Sequence, residues 1–280
     1  MGMVDLRVSN PDEVLAFYAD GIGLEPIGAE GSKITLGLGD GVPVVTLTHA
    51  PELRPPSRSE AGLFHTAILF PDSVQLARAV YSLFRRYPHL YQGASDHLVS
   101  RAFYWGDPEG NGVELYVDRP RSEWSWEGSR VSMATLPLDV RAFLTQYLPA
   151  EDYGSGDTPS GMEGSVGHVH LQVGDVASAR EFYVDALGFD ETARYGSQAL
   201  FVSAGGYHHH MAMNTWNSRG AGPRPATLGL GRVDVLLPSA GERERAAARL
   251  RERAIPFDDD GASLLVRDPW ENLIRLSVDD

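Results

Sequence analysis

Short runs in which apolar and polar residues alternate recur along this chain, and each is followed by a stretch whose apolar residues fall at three- and four-residue steps. The first spacing is that of a half-buried strand and the second that of an amphipathic helix. In Asp175–Leu187, Val176, Ala179, Phe182, Tyr183 and Leu187 form such a stripe, with Asp175 placed as a cap and Gly188 as a stop. Glu242–Ala254 is a strongly charged helix whose alanines and leucine make the buried stripe. Further short strands divided by glycine-rich turns follow each helix.

This order occurs four times. Val14-Leu-Ala-Phe-Tyr-Ala-Asp-Gly-Ile-Gly-Leu matches Ala179-Arg-Glu-Phe-Tyr-Val-Asp-Ala-Leu-Gly-Phe in its Phe-Tyr, Asp and Gly, and Val4-Asp-Leu-Arg-Val matches Val169-His-Leu-Gln-Val at the same offset. Asp107-Pro-Glu-Gly-Asn-Gly-Val-Glu-Leu corresponds to Asp268-Pro-Trp-Glu-Asn-Leu-Ile-Arg-Leu. The chain therefore divides into related halves, 1–118 and 166–280, each with two β-α-β-β-β units: 3–50 and 62–118, then 166–216 and 229–280. Residues 119–165 are a linker with one predicted helix, Asp139–Leu148, and a loop-like Gly-Ser-Gly-Asp-Thr-Pro-Ser-Gly run. The expected fold class is α+β.

Composition narrows the function. At 280 residues with 42 % hydrophobic and 22 % charged content, the chain reads as a soluble globular protein. A net charge of −14 without a basic run argues against a nucleic-acid partner. Apolar runs too short to span a bilayer and the lack of an apolar leader predict no membrane association and a cytoplasmic location. Cysteine is absent, so any metal must be held by His, Asp, Glu or Tyr.

Three stretches concentrate candidate chemistry: His97 through Glu114, Gly62-Leu-Phe-His-Thr-Ala-Ile-Leu and Gly167-His-Val-His-Leu-Gln-Val. Two histidines and a carboxylate form the ligand set that holds a non-haem Fe(II) on one face and leaves the other open. His65 precedes Asp72 by seven residues and His168 precedes Asp175 by seven, so the two occupy equivalent places. Met3 and Arg232 stand there in units one and four, and the Glu114 position becomes Arg275 in unit four. Arginine cannot coordinate a cation. Only units two and three thus offer a complete set, His65, Glu114 and His168. His170 shares the strand face of His168 and is either a supporting partner or the alternative ligand. Asp107-Pro108 with Gly110-Asn111 reads as turn chemistry, and Trp124 and Trp126 as packing residues. Gly220-Ala-Gly-Pro-Arg-Pro is expected to be a loop bordering the site entrance.

Four such units with histidines on their first strands resemble the vicinal oxygen chelate superfamily, which includes glyoxalases, bleomycin-resistance proteins and extradiol ring-cleaving dioxygenases. His97 through Glu114 is similar to the extradiol signature: a His, five residues, Phe103-Tyr104, two residues, Asp107-Pro108, one residue, Gly110, three residues and Glu114. Ser95, two positions before the histidine, departs from it, standing where the pattern usually has Gly or a few other residue types. With Arg119-Pro-Arg-Ser-Glu-Trp and Ala204-Gly-Gly-Tyr-His-His-His, the chain resembles most the catechol 2,3-dioxygenase branch.

The resemblance implies two curved-sheet half-barrel domains and three ligands drawn from two units folded together. Units two and three would then share the working barrel across the linker, with one and four paired elsewhere; pairing of consecutive units is the topologically simpler alternative. It further implies an Fe(II) cofactor, with Mn(II) as the alternative, a small aromatic diol and O2 as substrates, and a 2-hydroxymuconic semialdehyde-type product. It selects His209 as the acid–base group, where strand alternation alone allows either His209 or the pair His208 and His210 to face inward. Tyr104 and His97 become hydrogen-bonding groups beside the substrate. A glyoxalase-like isomerase or thiol transferase, which needs a fourth protein ligand, and a metal-free binding protein for aromatic compounds are the rival readings. A homo-oligomer would be ordinary.

Overall fold

The computed structural model describes residues 1–278, so the last two residues of the fourth unit lie outside the described residues. Among the described residues the strands form two large sheets, each curled into a half-barrel. The nine-stranded sheet runs Leu136–Pro137, Tyr91–Asp96, Ser100–Gly106, Gly112–Asp118, Gly62–Leu69, Ser165–Gln172, Met211–Asn214, Ala199–Ser203, Asp190–Tyr195. The eight-stranded sheet runs Phe257–Asp259, Ser263–Arg267, Leu273–Val278, Gly229–Leu237, Val4–Val8, Val42–His49, Lys33–Leu38, Glu25–Glu30. Units two and three therefore share one sheet and units one and four the other; the two units within each half of the chain do not pair with each other.

The seam of each sheet is an antiparallel pair of first strands, Gly62–Leu69 with Ser165–Gln172 and Val4–Val8 with Gly229–Leu237. Within a unit the first strand lies parallel to the last, as in Gly62–Leu69 with Gly112–Asp118. A parallel neighbour needs a crossover, and the unit's helix with its following strands supplies it. The seven-residue interval read from the histidines has a structural cause. Asn10, Asp72, Asp175 and Ser239 each cap a unit's helix with a side-chain oxygen, so the interval measures the distance from a fixed place on the first strand to the helix start.

Two features differ from the sequence reading. The helix expected over Asp175–Leu187 is α-helical only for Val176–Arg180 and continues as a π-helix over Glu181–Ala186; unit one repeats this with Pro11–Ala16 and Phe17–Ile22. The wider turn lets adjacent Phe and Tyr side chains both enter the core, as Phe17, Tyr18, Phe182 and Tyr183 do. The linker is also more than a tether. Leu136–Pro137 adds a strand beside Tyr91–Asp96, and helix Val140–Tyr147, capped by Asp139, packs Phe143 on Phe103 with ring centroids 4.9 Å apart. Among the described residues no helix is long and apolar enough to cross a membrane.

Candidate metal centre

Register places the predicted ligands. Tyr104 lies opposite Glu114, Glu114 opposite Ala67, and Ala67 opposite His168, a row across four adjacent strands. Laterally paired residues project to the same face, and His65, two residues before Ala67, projects there too. Ala67 itself is fully buried and contributes only a methyl, so the three long side chains meet above it. Next to His168 the strand shifts register, and Gly167 sits at the shift; a Cβ there would lie 1.7 Å from the Tyr116 hydroxyl oxygen, which only glycine avoids.

The result is a compact donor set. The ligating atoms of His65, Glu114 and His168 lie within 4.8 Å of one another, with Glu114 Oε2 at 3.0 Å from His65 Nε2 and 3.2 Å from His168 Nε2. All three residues are buried, and His65 Nε2, though close to the carboxylate, makes no hydrogen bond. Two donors bound at right angles to one ion at about 2.1 Å lie roughly 3.0 Å apart, so this spacing and the orphaned nitrogen fit a hard, borderline divalent cation. Burial pushes the Glu114 carboxyl up, but the neighbouring His168 and His65 outweigh it and hold it well below the usual carboxylate range. Burial lowers His168 to about 4, with Glu114 only partly opposing. An ionised carboxylate and neutral imidazoles are the protonation states a metal requires.

The methyl of Ala67 is a sensitive test of this geometry. Ala67→Leu pushes three more carbons into the space shared by Glu114 and His168, and affinity for a divalent metal ion is expected to fall by about 10–100-fold, the range seen when groups around a metal's ligands are disturbed. Equilibrium binding of divalent metal ions, with circular dichroism to confirm the fold, measures it; undiminished affinity would place the ligands elsewhere.

His170 is not part of the cluster: its Nε2 accepts a hydrogen bond from Asn214 Nδ2 at 2.9 Å, while its ring stacks edge-on against Phe64 and Trp216. His209 packs its ring on His168 with centroids 4.1 Å apart. Residues 207–210 form a bend rather than a strand, which is why strand alternation does not sort the three histidines. His97 Nδ1 faces the Ala134 carbonyl at 2.7 Å and must therefore carry the proton, so Nε2 accepts from the Tyr104 hydroxyl at 2.6 Å. The rings of His65, His97, Tyr104, His168, His170 and His209 line one cavity of about 410 Å³, walled further by Phe64, Phe201, Tyr195 and Trp216 and by Met133 of the linker. Its size is that of a small-molecule site, roughly 300–1,000 Å³.

Other expectations resolve differently. Asp107 does serve the turn: its Oδ1 accepts from the Glu109 and Asn111 amides and its Oδ2 from Asn111 Nδ2, an arrangement repeated by Asp268 and Asn272. Trp124 is buried, but Trp126 is 39 % exposed and packs in no core cluster among the described residues. The Gly220 loop does not border the cavity: Gly220 N donates to Gly174 O, and Trp270 Nε1 donates to Ala221 O.

The corresponding place in the other sheet is chemically different. Asp234 stands in register with Arg275 as Ala67 does with Glu114, and Arg232 takes the place of His65. Arg232 and Arg275 both bond the Asp234 carboxylate, while Met3, at the His168 position, accepts from Thr46 Oγ1. Internal guanidinium groups supply the positive charge there, and no metal-holding cluster forms among the described residues.

The buried imidazoles also set an acid limit. Burial lowers His168, His170, His209 and His210 below their ordinary value near 6.5, His168 and His210 to about 4. Between pH 6.5 and 4 the unfolded chain binds protons that the folded one does not, so stability falls as pH drops through that window, by up to about 1.4 kcal/mol per pH unit for each group. The urea midpoint of metal-free protein is expected to fall steeply from pH 6.5 to 4; a flat profile there would contradict neutral buried histidines.

Comparison with known proteins gives the family and the fold. The family model described as the Glyoxalase/Bleomycin resistance protein/Dioxygenase superfamily matches residues 1–115 and 165–276. A catechol-2,3-dioxygenase of Bacillus subtilis (strain 168) is 36 % identical over 282 residues, spanning 96 % of this chain and 93 % of that protein. Among solved structures, one from Bacillus subtilis subsp. subtilis str. 168, described as a candidate dioxygenase, aligns with a TM-score of 0.63 at 14 % identity over 100 % of this chain and 85 % of that one. Glyoxalase I from Zea mays aligns with a TM-score of 0.55 at 14 % identity, over 99 % of this chain and 92 % of that one. At such identities these two likenesses concern the fold.

Proposed function

Because the chain belongs to the glyoxalase/bleomycin resistance protein/dioxygenase superfamily, we propose that it is an extradiol dioxygenase that opens the ring of a catechol with Fe(II) and O2 and releases a 2-hydroxymuconic semialdehyde-type product. The observation that carries this reading is the buried His65–Glu114–His168 set with an alanine, not a fourth donor, across from it. In unit three the residue corresponding to Glu114 is Ala212, paired with His170 as Glu114 is paired with Ala67. A glyoxalase-like isomerase would need a fourth ligand where this alanine stands, so the open face favours binding of two further reactants.

His65, Glu114 and His168 would hold the ion, with Mn(II) the alternative. Bound there, Fe(II) would bring the catechol oxygens and O2 together and relay electron density from ring to oxygen. Everything else falls to the protein. His209 would take the proton of a catechol hydroxyl and return one during C–C cleavage. The Tyr104 hydroxyl, now given to His97, rotates about a single bond and would turn its proton to a substrate oxygen as negative charge develops there. Phe64, Phe201 and Trp216 would sandwich the ring and keep water out. The enzyme would work in the cytoplasm.

The reading is tested with an oxygen electrode. Anaerobically iron-loaded protein should consume one O2 per catechol added and turn the solution yellow; an aromatic compound that binds without oxygen uptake would sink it. The cavity wall adds a prediction about substrates. No lysine or arginine lines the cavity among the described residues, while the Glu114 carboxylate does. A ring carboxylate would be buried unpaired, so kcat/KM for 3,4-dihydroxybenzoate is expected to fall on the order of 10²-fold below that for 4-methylcatechol. Equal values would remove this limit on the substrate.

A further inference from the structure

One strand carries two carboxylates on the same face: Glu114 among the ligands, and Asp118 four residues on at the strand's end, partly exposed. Asp118 Oδ1 lies 3.0 Å from His208 Nε2, and His208 Nδ1 lies 2.8 Å from His209 Nδ1. His208 is fully buried, its ring held between Tyr207 at 4.0 Å and Trp124 at 5.2 Å. His209 Nε2 has no hydrogen-bond partner among the described residues, and its ring lines the cavity.

Proton positions follow from donor and acceptor chemistry. A carboxylate only accepts, so His208 Nε2 carries the proton. Neutral His208 then has a lone pair on Nδ1, which accepts the proton of His209 Nδ1. His209 is left with an unprotonated Nε2. We propose that His208 and Asp118 are positioning residues that fix the orientation and tautomer of His209, so that its free Nε2 is the atom that takes the catechol proton. This rests on the dioxygenase reading for the identity of the substrate, but not for the tautomer. In the step itself the catechol O–H bond breaks, an N–H bond forms at Nε2, and the Nδ1 proton of the resulting imidazolium stays on its bond to His208. The arrangement has the logic of a carboxylate behind a catalytic histidine, where exchanging carboxylate for amide leaves the geometry but reverses the tautomer.

Asp118→Asn tests it, because the amide can donate to His208 Nε2 and so drive the His209 proton from Nδ1 to Nε2. Two-bond ¹H–¹⁵N spectra of ¹⁵N-labelled, zinc-loaded protein report the tautomer without any turnover. The expected result is a His209 proton on Nδ1 in the wild type and on Nε2 in Asp118→Asn. With iron, the variant's kcat for catechol should fall on the order of 10²-fold or more, with KM within about threefold and full iron content. His208→Asn, whose Oδ1 falls near the place of Nδ1, should retain the wild-type tautomer and most of kcat, whereas His208→Leu should lose both. A wild-type His209 protonated on Nε2, an Asp118→Asn enzyme with undiminished kcat, or loss of kcat in step with loss of iron would each overturn the proposal. Absence of oxygen uptake by the wild type would instead fall on the dioxygenase reading and leave the spectra to decide the tautomer.

Discussion

Glu114→Ala is expected to abolish stoichiometric iron binding and to lower kcat/KM on catechol by about 10³-fold or more. Glu114 supplies the only anionic donor in the cluster, and its oxygen bridges both histidines at 3.0 and 3.2 Å. Metal-based charge stabilisation is worth several kcal/mol, and each 1.36 kcal/mol is a factor of ten in rate. The side chain is buried, so packing loss must be separated from charge loss. Glu114→Gln does this, keeping shape and removing charge, and should behave like the alanine variant in iron content and rate. Metal analysis after anaerobic loading, alongside oxygen uptake, reads both. Retention of iron and activity by the glutamine variant would show that the carboxylate is not a ligand.

His209→Phe should give the opposite pattern: iron retained, KM changed only a few-fold, and kcat reduced by roughly 10²–10⁴, the usual worth of general acid–base catalysis. Phenylalanine preserves a flat ring against His168, where the imidazole now packs at 4.1 Å. It removes both ring nitrogens, the free Nε2 and the Nδ1 bonded to His208. Steady-state kinetics on fully loaded protein separates kcat from KM; a variant with wild-type kcat would remove His209 from the chemistry.

Much of this arrangement is legible in the sequence because repeats supply internal controls. The interval from first-strand residue to helix cap is constant, so His65 and His168 could be equated without coordinates, and Arg275 in place of Glu114 marked unit four as a different kind of site. Pairing of units two and three across the linker is what the family resemblance implies, once the ligands are placed in those two units. Local pattern ran out where partners are distant in sequence. His168 and His170 share a strand face, and what separates them is register with Ala67 and the bond from Asn214. The three histidines at 208–210 lie in a bend, to which period-two alternation does not apply. Asp118 carried no signal, since its meaning comes from His208, 90 residues away. The π turns were hidden for a related reason: an apolar stripe at three- and four-residue steps fits an α-helix or one with a wider turn, and packing of Phe-Tyr pairs decides.

Isotope labelling bears most directly on the central claim, that this buried two-histidine, one-carboxylate centre inserts both atoms of O2 into a catechol. Iron-loaded protein is incubated with catechol under ¹⁸O2, and the product is reduced at once to stop aldehyde exchange with water, then weighed by mass spectrometry. Two heavy oxygens in the ring-opened product are predicted, with no such product from Glu114→Ala. Product without label, with a single heavy oxygen, or formed equally by Glu114→Ala would contradict it.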